Sequence, residues 1–181
     1  MAIALAKQGA NIMMNGFGEK DAAIALVKAC GVEVDYHGAD MSKPTEIEDL
    51  IKQTEKRFGT LDILVNNAGI MDNFTPLDRV NNGLWEKVMA VNVNGPFYTS
   101  RLAIRHMLTK GKGVIINIAS IGGLNGSRAG LAYTASKHAL VGMTKNIGFM
   151  YAKKGIRCNA IAPGGVNTNI MKNAQPDAEG A

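Results

Sequence analysis

The chain has 181 residues, 46% of them hydrophobic and 19% charged, with a formal net charge of +5. That length is one domain of ordinary size, able to hide roughly 70% of its extended-chain surface, and the composition excludes a disordered chain, a fibrous repeat and a disulfide framework. The mild positive charge fits an anionic ligand or nucleic acid and selects neither.

Met1-Ala2-Ile3-Ala4-Leu5-Ala6 stops at Lys7 with no basic region before it, so a signal peptide is not expected. Met1 to Gln8 reads instead as the end of a helix, with Gly9 as its stop. Asn11 to Met14 reads as a short strand ending at Asn15-Gly16, followed by a helix over roughly Lys20 to Cys30. Val32 to His37 is the next strand. Ser42-Lys43-Pro44-Thr45-Glu46 carries the marks of a helix start, with Ser or Thr as cap, and that helix runs to about Phe58 before Gly59. Leu61 to Asn66 is apolar enough to be a strand buried on both faces. Leu84 to Met107 reads as a long helix with an irregularity at Asn94-Gly95-Pro96. Gly113 to Ser120 is a second buried strand, Tyr133 to Tyr151 a long helix, Ile156 to Ala162 a further strand, and the tail from Lys172 is polar and weakly ordered. Strands alternating with helices predict right-handed βαβ crossovers and a parallel sheet, one α/β domain over residues 1–181. No apolar run approaches the roughly 18 residues of a membrane span. Two cysteines, Cys30 and Cys158, suit a reducing cytoplasm.

Tyr133 and Lys137 stand four apart on a predicted helix and so share a face. An ammonium beside a phenol stabilises the phenolate, and a tyrosine so tuned can exchange a proton with an alcohol or carbonyl. With four tyrosines in a lysine-rich chain such a pair also arises by chance. Ser120 lies thirteen residues earlier, just past a buried strand, at the end of the sheet where ligands bind; it either holds a substrate oxygen or caps a turn. Asn66-Asn67-Ala68-Gly69 also follows a buried strand, as a close approach to a flat ligand or as a plain turn. Asn92 is a polar residue in an apolar helical segment, where a local backbone bond would also account for it. Asp40 can accept from an adenine amino group or serve a turn, and Pro163-Gly164-Gly165 breaks the chain after the last strand.

Taken together, Asn66-Asn67-Ala68-Gly69, Asn92, Ser120, Tyr133-Thr134-Ala135-Ser136-Lys137 and Pro163-Gly164 resemble the short-chain dehydrogenase/reductase family, in its classical branch, over essentially the whole chain. The resemblance implies a Rossmann-like doubly wound parallel sheet with helices on both faces. It implies hydride transfer between NAD(P) and a secondary alcohol or ketone. Tyr133 would be the general acid or base, Lys137 would lower its pKa and hold the nicotinamide ribose, Ser120 would orient the substrate oxygen, and Asn92 would anchor a water. Asn15, Asp40 and Met41 would lie at the adenosine end, Asn66, Ala68 and Gly69 along the ribose region, and Pro163, Gly164 and Val166 on the nicotinamide side. No metal is implied. The segment Asn15-Gly16-Phe17-Gly18 offers no arginine for a 2′-phosphate and has Lys20 as its nearest base, which favours NAD over NADP. A homo-oligomer, tetramer or dimer, is the family expectation. Arg101, Arg105, His106, Lys110 and Lys112 are read as a solvated helix face rather than a nucleic-acid patch.

The amino-terminal part resembles D-3-hydroxybutyrate dehydrogenases in particular. Those enzymes carry polar side chains where this chain has Met71-Asp72, Ile121-Gly122 and Gly130, so a neutral hydroxy or keto compound is the better expectation, with Arg128 a further cation available. The family's first strand, its glycine-rich turn and its carboxyl-terminal strand have no counterpart, which predicts an opening between two retained strands. Two readings follow: an oxidoreductase given as part of a longer chain, or a catalytically impaired homologue acting as a non-enzymatic interaction or remnant protein.

Overall fold

A computed structural model describes residues 1–171 and 176–178. Among the described residues, five parallel strands alternate with six α-helices: α1 (Ala2–Ala6), β1 (Ile12–Asn15), α2 (Asp21–Lys28), β2 (Val34–His37), α3 (Pro44–Phe58), β3 (Ile63–Asn66), α4 (Asn82–Met89), α5 (Gly95–Lys110), β4 (Gly113–Ile118), α6 (Leu131–Tyr151) and β5 (Ile156–Ile161). The α/β class and the order of elements match the sequence reading. The polar tail expected from Lys172 falls largely on 172–175 and 179–181, outside the described residues.

The strands form two separate parallel sheets, β1-β2 and β3-β4-β5. Asn15 pairs with His37 at the end of the first, and Asn66 with Asn117 near the end of the second. The expected opening is thus a break in the ladder between β1 and β3. The core divides with it. Ala6, Val27 and Val34 form one cluster under α1 and α2, while Ile51, Leu64, Ile104, Met107, Ile115 and Ile156 form another around the larger sheet. Helix α3 spans the two: Ile51 enters the larger core, while Arg57 pairs with Glu33 and Asp35, and Asp49 with His37, on the β1-β2 side.

Local chemistry explains the helix ends. α3 starts at Pro44 and ends at Gly59 in the left-handed region, with Lys56 and Arg57 in the last turn facing the negative end of its dipole. Ser42 does not cap it as expected; its amide and hydroxyl go to the Asp40 carboxylate, while Glu46 reaches back to the Asp40 amide. α4 is capped by the Asn81 side chain, which accepts from the Leu84 amide at 2.8 Å. The single helix expected over Leu84 to Met107 is broken earlier than expected. A π-turn occupies Ala90–Asn94, and α5 restarts at Gly95 with Pro96 in its first turn, where a missing N–H costs nothing. No helix among the described residues is long and apolar enough to cross a membrane.

Candidate active site

The carboxyl ends of β3, β4 and β5 deliver three loops to one edge of the larger sheet, carrying Asn67-Ala68-Gly69, Ser120 and Pro163-Gly164. The Ile121 amide donates to the Pro163 carbonyl at 3.0 Å, which ties two of these loops together. Ser120 Oγ accepts from the Gly122 amide at 3.0 Å, so the serine caps its turn. Its hydroxyl also lies near the Tyr133 phenol and favours the ionised form of that phenol. Of the two roles that the sequence leaves as alternatives, the turn cap is the one formed here.

Tyr133 and Lys137 lie one turn apart near the start of α6, 7% and 3% exposed. The Lys137 ammonium donates to the Ile118 carbonyl at 2.8 Å and stands 5.5 Å from the Tyr133 ring centroid. Burial holds Lys137 down at about 8. Burial likewise raises the Tyr133 phenol above its ordinary value, opposed by the Ser120 hydroxyl and reinforced by the negative charge of Asp72. The sequence reading expects a tyrosine lowered by its lysine; in the structure desolvation is the largest influence on the phenol and raises it, while the ammonium donates to Ile118.

Asn92 is 1% exposed in the π-turn. Its Oδ1 accepts from the Ile70 amide and its Nδ2 donates to the Ile70 carbonyl, both at 2.9 Å, with a further bond to Ser136 Oγ at 3.0 Å. The side chain grips the backbone after Gly69 and pulls the π-turn wide. At Gly69 a Cβ would lie 3.3 Å from Lys137 Nζ and 3.4 Å from Asn92 Oδ1, so a side chain there would press the lysine aside by a few tenths of an ångström.

Asn66 is turned inward. Its amide donates to Asn117 Oδ1 at 2.8 Å and Ser100 Oγ at 3.1 Å, and its oxygen accepts from Thr99 at 2.7 Å. The side chain is thereby committed to the interior network between β3, β4 and α5. Asn15 is also occupied: Oδ1 accepts from the Ala39 amide at 2.8 Å, and Nδ2 donates to the Ala39 carbonyl and Met41 Sδ. It thereby fixes the loop that carries Asp40 and Met41. Bonds from the Ser42 amide and hydroxyl hold the Asp40 carboxyl below its usual range. Lys20 lies 4.4 Å over the Tyr36 ring, whose hydroxyl donates to the Gly16 carbonyl. Val166 is exposed beyond Pro163 and Gly164.

Two groups escaped the sequence reading. Asn117, fully buried on β4, links Asn66 to Thr144 of α6 at 2.8 Å; an asparagine in the middle of Val114-Ile115-Ile116-Asn117-Ile118 was its only signal. Asp72 is the other. It is fully buried and bonded to the amides of Gly130 and Tyr133, and nothing local marks it. Gly130 backs onto this loop: a Cβ there would meet the Thr75 amide at 2.4 Å and Asp72 Oδ2 at 2.6 Å. A polar side chain at 130 is sterically excluded. The basic residues of α5 are largely engaged as well, Arg101 over Phe97 and Tyr98, His106 with Glu55, and Lys110 with Thr60 and near Asp62.

Comparison with known proteins bears on this arrangement. A family model described as short chain dehydrogenase matches residues 1–179. The chain is 47% identical over 152 residues to 3beta-hydroxysteroid dehydrogenase 2 of Eggerthella lenta, covering 83% of this chain and 58% of that protein. It is 45% identical over 174 residues to a D-beta-hydroxybutyrate dehydrogenase of Cupriavidus necator, covering 95% and 67%. Among solved structures, NAD+-bound xylitol dehydrogenase superimposes with a TM-score of 0.85 at 31% identity, over 90% of this chain and 64% of that one. The chain therefore spans 58% to 67% of the length of these three proteins.

Proposed function

Since the chain belongs to the short-chain dehydrogenase family, we propose that it serves an NAD(P)-dependent oxidoreductase acting on the CH–OH group of a secondary alcohol, or in reverse on the ketone. The observation that carries this reading is the buried Tyr133 phenol beside the Ser120 hydroxyl, with the Lys137 ammonium 5.5 Å from its ring. Tyr133 gives a proton to the developing alkoxide in reduction and takes it back in oxidation. Ser120 holds the substrate oxygen beside that phenol. Asn92, through Ile70, fixes the backbone that borders Lys137.

The residues fit a nicotinamide nucleotide at its ribose and nicotinamide end. Gly69 leaves open the space a Cβ would fill beside Lys137 Nζ, and the ammonium, with three protons, makes one hydrogen bond among the described residues, to Ile118. Lys137, Tyr133, Ala68 and Gly69 would hold the ribose, and Pro163, Gly164 and Val166 would border the ring. Asn15, Asp40 and Met41 would border the adenosine end. When bound, the nucleotide supplies or accepts the hydride. NAD is favoured over NADP, because the one base near Asn15, Lys20, is already seated on Tyr36.

For the substrate, a neutral secondary alcohol or ketone fits better than a hydroxy acid. Asp72 is buried in backbone bonds, and no side chain fits at 130, so neither position can bind a carboxylate. A soluble, cytoplasmic, oligomeric enzyme is the companion reading; both cysteines are free thiols, and burial pushes Cys158 up to about 11.

NADH formation with a panel of neutral secondary alcohols, hydroxysteroids among them, against D-3-hydroxybutyrate tests all of this. Tyr133→Phe is expected to lose roughly 10²-fold or more in turnover while still binding NADH. One observation supports a second reading, a non-enzymatic homologue: β1 and β3 share no ladder, at the place where a dinucleotide would cross the sheet. Absence of NADH fluorescence enhancement at millimolar nucleotide would favour it.

A further inference from the structure

The loop after β3 holds a buried carboxylate that proton transfer at Tyr133 does not itself use. Asp72 Oδ2 accepts from the Tyr133 amide at 2.8 Å, and Oδ1 accepts from the amides of Gly130 and Phe74, both at 3.2 Å. Its carbonyl accepts from the Thr75 amide and hydroxyl at 3.1 and 2.6 Å. Gly130 precedes α6 and has no side chain to cap it, so two of the unpaired amides at that helix start are satisfied from a loop some sixty residues away. A carboxylate there also meets the positive end of the helix dipole. The loop is strained as well. Asn73 and Phe74 have φ of 56° and 58° in succession, a left-handed backbone that residues with a Cβ disfavour. Such a turn persists only when its surroundings over-determine it, and here Asp72 makes most of the bonds that do so. The residue whose amide it holds is the one whose phenol meets Ser120.

We propose that Asp72 is a positioning residue for the reaction: its carboxylate ties the loop 72–75 to the first turn of α6 and so sets the Tyr133 phenol against the Ser120 hydroxyl. This rests on the reading of Tyr133 as the proton-transfer group. The charged groups facing that phenol among the described residues are Asp72, from the loop, and Lys137, from its own helix, with the Ser120 hydroxyl opposite. Asp72 thus acts twice on Tyr133, through its backbone and through its field, which favours the neutral phenol.

The test is a ¹³C NMR titration of the full chain carrying [ζ-¹³C]tyrosine, with the Tyr133 signal assigned by Tyr133→Phe. It needs no cofactor. Asp72→Asn is expected to raise the Tyr133 ionisation by about half to one pH unit, a three- to tenfold change in its constant, because a phenol released from Ser120 loses a stronger influence than the Asp72 charge it is freed from. Thr75→Val, which removes the hydroxyl bond to the Asp72 carbonyl and leaves the carboxylate, is expected to leave that titration in place while lowering the melting temperature. Gly130→Ala displaces the carboxylate without changing any charge and is expected to shift the Tyr133 signal as well. If Asp72→Asn or Gly130→Ala folds with an unshifted Tyr133 titration, Asp72 is only a structural latch and the proposal fails. In turnover assays Asp72→Asn should lower kcat about tenfold with KM within about twofold. Lack of turnover by the unaltered chain would overturn the functional reading while leaving the titration result standing.

Discussion

The Lys137 ammonium is bound to the carbonyl of Ile118, 2.8 Å away at the last residue of β4. A charge that burial holds at about 8 is thereby anchored to the sheet edge from which Ser120 emerges. The lysine couples α6 to β4 and carries its charge into the site at the cost of desolvation.

That cost is measurable. The folded Lys137 ammonium releases its proton near pH 8 and an exposed one near 10.5, so between these values the unfolded chain binds more protons. The stability contributed by this group therefore rises with pH across that window, from a penalty of roughly 3 kcal/mol at neutral pH. Lys137→Met keeps the apolar stem and removes the charge. Its melting temperature at pH 7 is expected to exceed that of the unaltered chain by about 5 °C or more, and the gap should close as the pH is raised past 10. A variant that melts no higher at pH 7 contradicts the penalty.

The raised Tyr133 phenol sets opposite pH profiles for the two directions. Ketone reduction needs the neutral phenol, and alcohol oxidation needs the phenolate. Reduction is expected to stay level through neutral pH, while kcat/KM for oxidation climbs into the alkaline range. An oxidation optimum at or below pH 7 would show that some other group takes the proton.

Asn117→Ala is expected to destabilise the fold by about 2–4 kcal/mol, by leaving buried partners of Asn66 and Thr144 unsatisfied and a small cavity behind. The bonds concerned are both 2.8 Å long and fully interior. Urea denaturation followed by circular dichroism measures the loss. A cost below about 1 kcal/mol would mean that the interior relaxes around the gap.

At the surface, Asn81→Ala removes the one side-chain cap of α4. A loss of about 1 kcal/mol, seen as a fall of roughly 2–4 °C in melting temperature, is expected without change in the Tyr133 titration.

Much of the site could be read from the chain because its signals are local. Tyr133 and Lys137 share a helix face by spacing, and Ser120 follows an apolar strand whose end the parallel topology places at the ligand edge. Asn92 was visible as a polar residue in an apolar run, although the π-turn it draws out fell before the Asn94-Gly95-Pro96 irregularity expected. Asn66 shows the limit of such signals: the same asparagine fits a ligand turn or an interior network, and only its partners on β4 and α5 choose between them. Asp72 gave no sign, because its bonds to Gly130 and Tyr133 join residues far apart in sequence.

Periodicity and turn chemistry, which act over a few residues, determined the βαβ alternation, the helix stops at Gly9 and Gly59, and the pairing of phenol with ammonium on one helix. The tertiary structure decided what depends on distance and dielectric. It separated the strands into two sheets, turned Asn66 and Asn15 to structural bonds, filled the space at Gly130 and pushed the Tyr133 phenol up rather than down. Spacing brings two groups to the same face, but the ionisation of each is set by how much water the rest of the fold removes from around it.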